Sequence, residues 1–339
     1  MTGSQELELD LLQAEDRQTA ARLLNCEYPE GIDVVAATRN GALLGVIAVE
    51  LQAGWTASVE APRVMPDVGD ESDRIANQLW RAAESYARRR GVSWLQTLVA
   101  EETPPIAQRL AELGFERLGD LSYQVCLARR FPAATPATRL AFRPVAESSP
   151  EELSRTVAVT YLGSRDFPEM EGRRSIEDLL DGYRAVGDAA ERHWWLAWEG
   201  DVPVGCVLLA EHRPPATASQ SESAFTELIY WGVVPNRRGH GFGDELLAWS
   251  LDQSRLLGAD KLILAVDVRN LPARRIYERF GLLEWCEKPP GPSHWRRGSE
   301  PGLILTSKRL KKRSRPTPDF AKRINSMQLK EIRIVPRSV

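Results

Sequence analysis

Cysteine and histidine are scarce in this chain, which has 339 residues and four of each. The cysteines are too far apart to form a CxxC pair, and no two histidines have the spacing of an HxxxH metal site. These absences exclude a zinc knuckle and a dense disulfide framework, fit a reducing cytoplasm, and predict no metal cofactor. They also disfavour metal hydrolases and histidine-based triads.

Long apolar runs are missing as well. The longest, residues 41–49 and 202–210, are far shorter than the roughly 20 residues that a membrane helix needs. The acidic N-terminus lacks the basic and apolar regions of a signal peptide. With 43% hydrophobic and 27% charged residues, the composition is that of a globular protein, and we expect a cytoplasmic location and no membrane partner. At about 100–200 residues per domain, the length predicts two or three domains.

Acidic and basic residues are unevenly distributed, although the net charge is only −3. Residues 306–339 hold eleven Lys or Arg and two acidic residues, a net charge of +9 that leaves −12 for the rest of the chain. Such a basic tail is either a solvated extension or a segment that binds nucleic acid or an acidic partner. It contains no RNA-binding motif with interleaved aromatic residues, so nucleic acid is the less favoured partner.

The chain contains an internal repeat with an offset of 167 residues. Gly91 and Gly258 are separated by this offset, as are Gly114 and Gly281, and each pair lies between a predicted helix and a predicted strand. One fold written twice explains the length better than two unrelated domains. The predicted boundaries are 1–130 for the first copy, 131–138 for a Pro/Ala/Thr-rich linker, 139–310 for the second copy and 311–339 for the tail.

Strand and helix patterns alternate in both copies. In the second copy they predict a strand at 226–234, a helix at 243–257, a strand at 261–266 and a helix at 272–280. This mixed order indicates an α/β fold of the mixed α+β, three-layer kind, in which a central twisted mixed sheet is flanked by helices.

The most informative segment is a glycine-rich loop between a strand and a helix. Gly239, Gly241 and Gly243 allow a tight turn and a close approach to a ligand. Amides of the loop and of the first helical turn have no partners within the helix, so they form an anion site suited to a pyrophosphate. A ligand-free glycine-rich turn is the alternative. No Walker sequence is present, and the position of the loop does not suit a dinucleotide-binding fold.

This loop and a second motif resemble the GNAT superfamily of acetyl-CoA-dependent N-acetyltransferases. The first motif is Val233-Val234-Pro235 followed by Arg238-Gly239-His240-Gly241-Phe242-Gly243. The second is Asn270, Ala273, Tyr277 and Gly281, with Leu282 where the family pattern has Phe. The resemblance covers most of residues 139–310, and together with the repeat it implies a tandem GNAT-like protein that uses acetyl-CoA as cosubstrate.

The resemblance also implies a set of cofactor contacts. Loop amides are expected to bind the CoA pyrophosphate, the splayed strand end to contact the pantetheine and acetyl carbonyl, and an asparagine to contact the pantetheine arm. The implied residues are Val233, Val234, Arg238, Gly239, His240, Gly241, Phe242, Gly243, Asp244 and Asn270. The Val233 N–H is the expected oxyanion donor.

Acetyl transfer to an amine requires that the amine lose a proton and that the departing thiolate gain one. Tyr277 stands where the family has its general acid, although a core aromatic residue is the alternative. Glu227, eleven residues before Arg238, has the spacing of a base glutamate found in some GNAT enzymes. A surface charge is its alternative role, and a water molecule is the alternative base.

The acceptor pocket in the family is built by the first two helices and the loop between them. In this chain that loop carries Tyr161, Ser164, Asp166 and Glu169. Asp166 is expected to hold an ammonium group, with Tyr161 as a wall. Trp231 shares a strand face with Glu227 by the period of two, so it either lines the site or belongs to the core.

The first copy departs from the family pattern. Its corresponding loop, residues 66–77, is strongly acidic and would repel a pyrophosphate, and Leu110 stands at the position equivalent to Tyr277. We therefore expect an inactive first copy. The predicted activity is N-acetyl transfer to a primary amine of a small molecule or peptide by a monomer or homodimer. An inactive acyl-CoA-binding scaffold is the alternative.

Overall fold

A computed structural model describes residues 7–12, 16, 20, 32–99, 104–187, 190–213, 224–285 and 303–310. The basic tail at 311–339 lies outside the described residues, so the expectation of a tail-bound partner stays a prediction. The chain divides into two units. The first comprises Met1–Arg117 with Glu287–Val339, and the second comprises Leu118–Cys286.

The first unit is a mixed sheet with helices. Its elements are β1 (Glu8–Leu11), β2 (Asp33–Arg39), β3 (Ala42–Gln52), β4 (Thr56–Val59), β5 (Arg63–Val64), α1 (Ser72–Arg89), β6 (Trp94–Val99) and α2 (Pro104–Glu112). Strand β4 runs parallel to β6, and the other paired strands are antiparallel. The apolar face of α1, which includes Ile75, Leu79 and Ala83, packs on the sheet and is fully buried.

The second unit has the strand and helix order of the first from its strand at Trp194–Glu199 to its helix at Leu271–Arg279. Its elements are β7 (Glu116–Leu127, from Leu118 onward), β8 (Ala141–Pro144), α3 (Pro150–Tyr161), α4 (Ile176–Arg184), β9 (Trp194–Glu199), β10 (Val202–His212), β11 (Phe225–Val233), α5 (Phe242–Leu256), β12 (Lys261–Asp267), α6 (Leu271–Arg279) and β13 (Leu283–Glu284). The strand order is β8-β9-β10-β11-β12-β7, with β13 paired to β7. The mixed α/β fold predicted from the sequence is confirmed.

The last strand of each sheet comes from the other half of the sequence. Strand β14 (Leu303–Arg309) pairs with β6 in the first unit, and β7 pairs with β12 in the second. The units therefore differ from the boundaries expected from the repeat, because residues 118–130 belong to the second unit and residues 303–310 to the first. The linker at 131–138 contains no helix or strand.

Capping residues and glycines explain where the helices of the second unit begin and end. Ser149 and Ser175 cap α3 and α4 by accepting the N–H groups of Glu152 and Asp178. The two glycine pairs of the repeat all have positive φ, from 71° to 80°. Since each of the four is the second residue after the end of a helix, the repeat reflects a shared helix-ending geometry.

Each face of the second sheet has its own core. Leu246, Leu247 and Leu251 of α5 pack on one face, with Leu228 and Val233 of β11. Leu153 and Val157 of α3 and Leu180 of α4 pack on the other, with Leu196 and Leu208. Among the described residues, no helix is both long and apolar enough to cross a membrane.

Candidate active site

Strands β11 and β12 pair only at their beginnings. Their parallel register joins Phe225, Thr226 and Glu227 to Lys261, Leu262 and Ile263, and no further pair between them is present in the described residues. Both strands nevertheless continue, to Val233 and to Asp267. An opening between the two strands therefore begins beyond Glu227, in the middle of the sheet.

A β-bulge in the β10–β11 pairing sets which side chains face each side of this opening. Leu209 pairs with Leu228, but Leu208 pairs with Tyr230, so Ile229 is the extra residue. As a result Leu228 and Trp231 both pack in the α5–α6 core, whereas Tyr230 packs against α3 and α4.

The bulge changes one sequence expectation. Thr226 hydrogen-bonds Ser254 of α5 at 2.6 Å, so the adjacent Glu227 points to the opposite, α3–α4 face. The prediction that Trp231 and Glu227 share a face is wrong, because the extra residue reverses the alternation between them.

The end of β11 presents a backbone donor to the opening. Val234 N–H donates to Val204 O of β10 at 2.9 Å. Because backbone groups alternate between the two edges of an antiparallel strand, the N–H of Val233 points to the opposite edge, toward β12. Both valine side chains are buried, so the backbone is what these residues offer a ligand.

Glycines shape the loop that follows. Gly239 and Gly241 have φ values of 79° and 84°, and Gly241 is the N-cap of α5 in a left-handed conformation that other residues adopt at a cost. Having no side chain, it supplies no cap to the first-turn amides. A Cβ on Gly243 would lie 2.8 Å from Ile276 Cδ1 and 3.4 Å from the Trp231 ring. Gly243 therefore permits close packing of α5, α6 and β11.

Arg238 holds this loop against the end of α3. Its guanidinium donates to three backbone carbonyls, those of Val233 at 3.0 Å, Thr160 at 2.9 Å and Gly163 at 2.9 Å. All three bonds join segments that border the opening. The side chain thus positions β11 relative to the α3–α4 loop.

We predict that Arg238→Ala lowers the free energy of unfolding by about 2–4 kcal/mol, because three backbone carbonyls, two of them in partly buried hydrogen bonds, lose a charged donor together. The matched control is Arg237→Ala, which removes an ion pair to Glu199 whose two side chains are 42% and 43% exposed. That pair should contribute about 0–1 kcal/mol. Urea unfolding midpoints measure both. Equal losses in the two variants would contradict the positioning role of Arg238.

Residues that the sequence analysis did not single out hold the glycine loop beyond Arg238. Arg139 donates to His240 O at 2.8 Å and to Glu245 at 2.6 Å, and it stacks 4.7 Å above the Phe242 ring. His240 itself is exposed, and its Nδ1 is 3.0 Å from Arg238 O. The Phe242 side chain is buried in the core, which leaves its backbone for a ligand. Arg139 is the first residue after the linker, and no motif in the sequence predicts its contact with the glycine loop.

Asp244, in the first turn of α5, is neutralised by Arg279 of α6 at 2.5 Å. Its N–H donates to Gly241 O at 3.1 Å. The ion pair offsets the negative charge that a carboxylate brings to an anion-binding helix terminus.

Tyr277 and Trp231 meet at the α5–α6 side of the opening. Trp231 Nε1 donates to Tyr277 Oη at 2.9 Å, and the two rings pack edge to face with their centroids 6.0 Å apart. Tyr277 is buried, and burial raises the pKa of its phenol well above the ordinary value. The hydroxyl therefore stays protonated at physiological pH, and the raised pKa also makes it a weaker acid than a solvated phenol.

Asp166, in the α3–α4 loop, lies beside the last residue of β12. Its Oδ1 accepts the backbone N–H of Asp267 at 2.8 Å, and the side chain of Asn270 also hydrogen-bonds it. Burial raises the pKa of Asp166 to about 6, an effect that these two hydrogen bonds oppose. Asn270 additionally caps α6 by accepting Ala273 N–H at 3.4 Å. The sequence placed Asp166 and Asn270 in different sites, and the structure brings them together.

Tyrosines surround the α3–α4 side of the opening. The rings of Tyr161 and Tyr230 stack with centroids 4.8 Å apart, and Tyr183 stacks on Tyr230 at 5.8 Å. The hydroxyls of Tyr161 and Tyr183 hydrogen-bond each other, and Tyr230 bonds Thr160 at 2.9 Å. Tyr161 was predicted here. Tyr183 and Tyr230 were not, although Tyr230 directly precedes Trp231 in the strand.

An arginine clamp fixes the loop that carries Asp166. Arg269 donates to both carboxylate oxygens of Glu169 at 2.7 and 2.8 Å, and to Asp267 at 2.6 Å. Because Asp267 is fully buried, its charge is compensated by Arg269. The clamp joins the α3–α4 loop to the end of β12, the same two segments that meet at Asp166.

Glu227 lies where β11 and β12 still pair, and its carboxylate hydrogen-bonds His212 Nε2 at 3.1 Å. Its side chain is 27% exposed. The charge of Glu227 contributes, after burial, to raising the pKa of Tyr123 to about 12. No group of three or more His, Cys, Asp or Glu arranged to hold a metal ion occurs in the described part of the chain.

Known proteins resemble this chain in sequence and in fold. Residues 157–282 match the model of the Acetyltransferase (GNAT) family. Mycothiol acetyltransferase from Geodermatophilus obscurus is 28% identical over 74% of this chain and 79% of its own length. Mycothiol acetyltransferase from Corynebacterium aurimucosum is 40% identical over 40% of this chain and 51% of its own length.

A solved structure extends the likeness of fold to both units. The GCN5-related N-acetyltransferase from Sphaerobacter thermophilus superposes with a TM-score of 0.53 at 17% identity, over 93% of this chain and 98% of that protein. The family match lies wholly within the second unit, so residues 157–282 are similar in sequence to the Acetyltransferase (GNAT) family, and the solved structure shows a shared fold.

Proposed function

We propose that the second unit transfers the acetyl group of acetyl-CoA directly to a primary amine. The observation that carries this proposal is the opening between β11 and β12, which has a glycine-loop helix terminus and Tyr277 on one face and Asp166 with three tyrosines on the other. A thioester and an amine held on opposite faces can meet in such an opening. We infer that transfer is direct, in a ternary complex, and that no residue of the protein becomes acetylated as an intermediate.

The loop fits a pyrophosphate. First-turn amides of α5 with no side-chain cap and a helix N-terminus supply donors and positive potential. The Val233 N–H, directed to the opening, is suited to stabilise the oxyanion of the tetrahedral adduct. Tyr277 protonates the thiolate of CoA as it leaves. The sequence offers Glu227 or a water molecule as the base.

The first unit is proposed to be inactive. Its helix α1 follows a 3-10 turn, Pro66–Glu71, that contains a single glycine, Gly69, whereas the second unit has Gly239, Gly241 and Gly243 at the start of α5. Leu110 is a buried core residue at the position equivalent to Tyr277. We therefore expect one acetyl-CoA per chain.

The relatives named mycothiol acetyltransferase make an amine related to mycothiol the first acceptor to test. We also propose a cytoplasmic location. Cys126 and Cys206 are free and buried, and burial raises the pKa of their thiols to about 11 and about 12, which suits unreactive thiols in a reducing compartment.

Calorimetric titration with acetyl-CoA, followed by a thiol-release assay, tests the proposal. The acceptors are mycothiol lacking its acetyl group and a panel of primary amines. We expect one binding site per chain and CoA release that depends on an amine. An absence of binding would remove the proposed function, and binding without release would favour the acyl-CoA-binding scaffold. Two sites would overturn the inactive assignment of the first unit.

A further inference from the structure

Resting on the proposed acetyl transfer, we propose that Asp166 binds the ammonium group of the acceptor and removes its proton. This role goes beyond the ammonium contact expected from the sequence, because it makes Asp166 a catalytic residue that takes a proton from the reacting nitrogen. It also differs from the base that the motif spacing suggests, Glu227.

The position of the Asp166 carboxylate is fixed by the segment in which β12 ends. Asp267 N–H donates to Oδ1 at 2.8 Å, and Asn270 adds a side-chain hydrogen bond. Asp267 is in turn held by Arg269, which also binds Glu169 in the loop that carries Asp166. The carboxylate therefore stands at the unpaired end of β12, beside the opening, on a rigid support from both sides.

The charge of Asp166 acts on tyrosines of both sides of the opening. The negative charge of Asp166 contributes to raising the pKa of Tyr161 and Tyr230 on the α3–α4 side and also that of Tyr277 on the α5–α6 side. The backbone gives the position of Asp166 relative to the sheet. Val268 N–H donates to Asp120 O on the β7 side at 2.9 Å, so the preceding N–H of Asp267, which Asp166 accepts, points to the β11 side and the opening.

Glu227 has other partners and another position along β11. Its hydrogen bond goes to His212, and its charge acts on Tyr123 of β7. It also lies where β11 still pairs with β12, at the closed end of the opening. A base must come within hydrogen-bond reach of the proton that it removes, and the carboxylate beside the opening is that of Asp166.

The surroundings of Asp166 are suited to receive a cation. Within the described residues it has hydrogen bonds but no ion pair with an arginine or lysine, whereas the neighbouring Asp267 has Arg269. The titratable groups on which its charge acts are Tyr161 of α3, Tyr183 of α4, Tyr230 of β11 and Tyr277 of α6, and Asp267 of β12 acts on it in turn. The other charged groups are Arg269 and Glu169 of the clamp and Arg174, whose charge acts on Tyr183.

Burial also tunes the basicity of this carboxylate. Desolvation raises the pKa of Asp166 to about 6, and the charge of Asp267 adds to the effect. At pH 7 and above the group is ionised, and it is a stronger base than an exposed aspartate. Below about pH 6 it becomes protonated and can no longer accept a proton, so activity must fall on the acid side.

The proposed step balances in protons and electron pairs. Asp166 takes one proton from the ammonium, and the freed nitrogen lone pair forms the C–N bond to the thioester carbonyl carbon. When the C–S bond breaks, the thiolate leaves with its electron pair and takes the Tyr277 proton. The phenolate then takes the remaining excess proton from the new amide nitrogen, and Asp166 releases its proton to solvent.

Asp166→Asn tests the proposal in the full-length protein. Asparagine keeps a carbonyl oxygen for the Asp267 N–H but removes the charge and the basicity. With mycothiol lacking its acetyl group as acceptor, or the best amine of the panel, we expect kcat/KM at pH 7.5 to fall by about 10²–10⁴-fold. The acid limb of the pH profile near pH 6 should disappear, and the Kd for acetyl-CoA should stay within about twofold. The charge control is Asp201→Asn, in an exposed hairpin turn, which should match the wild type.

Other outcomes separate this proposal from the proposed function. A wild type that releases no CoA with any amine would remove both. An active wild type together with an unchanged Asp166→Asn profile would overturn only the role of Asp166, as would loss of the acid limb in Glu227→Gln. If Asp166→Asn does not fold, the wild-type profile decides, because an active enzyme without a limb near pH 6 contradicts the proposal.

Discussion

Tyr277→Phe is expected to lower kcat by about 10²–10³-fold while the Kd for acetyl-CoA changes little. The phenol is buried beside the opening, where it accepts the hydrogen bond of Trp231, and in the proposed reaction it is the donor to the leaving thiolate. Phenylalanine keeps the ring packing of α6 and removes only the oxygen. Single-turnover acetyl transfer and calorimetry measure the two quantities separately.

Two further variants show whether the loss comes from chemistry or from packing. Tyr123→Phe removes a phenol from β7, outside the site, and should leave kcat unchanged. Trp231→Phe removes the hydrogen bond to Tyr277 but keeps the phenol, so its effect on kcat should be clearly smaller. Equal losses in Trp231→Phe and Tyr277→Phe would mean that the pair only supports the structure. A Tyr277→Phe rate within threefold of the wild type would mean that another group protonates the thiolate.

The parts of this site that were predictable are local in sequence. The glycine loop was found because Gly239, Gly241 and Gly243 lie within five residues and each relieves a constraint, either a positive φ or a close contact. Tyr277 was found because its motif fixes its distance from Asn270 along one short helix. In both cases the geometry depends on the neighbouring residues of the same segment.

The parts that were missed depend on contacts between distant segments. The bulge at Ile229 arises from the register of β11 against β10, and a strict period of two placed Trp231 on the wrong face. The bond from Asp267 to Asp166 spans 101 residues, and the clamp from Arg269 to Glu169 spans 100. Nothing in the local pattern around Asp166 distinguishes a carboxylate held beside the opening from one in an ordinary loop.

The exchange of the last strands could not be read from the repeat either. Because the two copies have the same element order, β7 and β14 are both plausible final strands for either sheet, and alternation within each strand does not choose between them. The register does: Leu121–Leu127 pair with all seven residues of β12, from Asp267 back to Lys261. A boundary placed in the linker therefore separates β12 from its partner.

This exchange predicts that fragments cut at the sequence boundaries will not fold. A fragment of residues 131–310 contains every motif residue but lacks β7, whereas residues 118–286 form the unit that the structure defines. Removing β7 deletes the backbone pairing along β12, the pairing of β13, and the buried side chains of Val125 and Cys126. Circular dichroism melts and urea titrations of the two fragments measure the effect. The matched control is 131–286, which differs from 118–286 only by the absence of residues 118–130.

We expect 118–286 to unfold cooperatively and both fragments that begin at 131 to show no cooperative transition. Burying one apolar side chain is worth about 1.5–3 kcal/mol, and total domain stabilities are only about 5–15 kcal/mol. The loss of two such side chains together with an edge-covering strand is therefore comparable with the whole stability, and a bare β12 edge would also promote aggregation. A cooperative melt of 131–310 at the midpoint of 118–286 would contradict the exchange. If 131–310 loses acetyl-CoA binding and 118–286 keeps it, then β7, which the sequence assigns to the first copy, is needed for the site of the second unit.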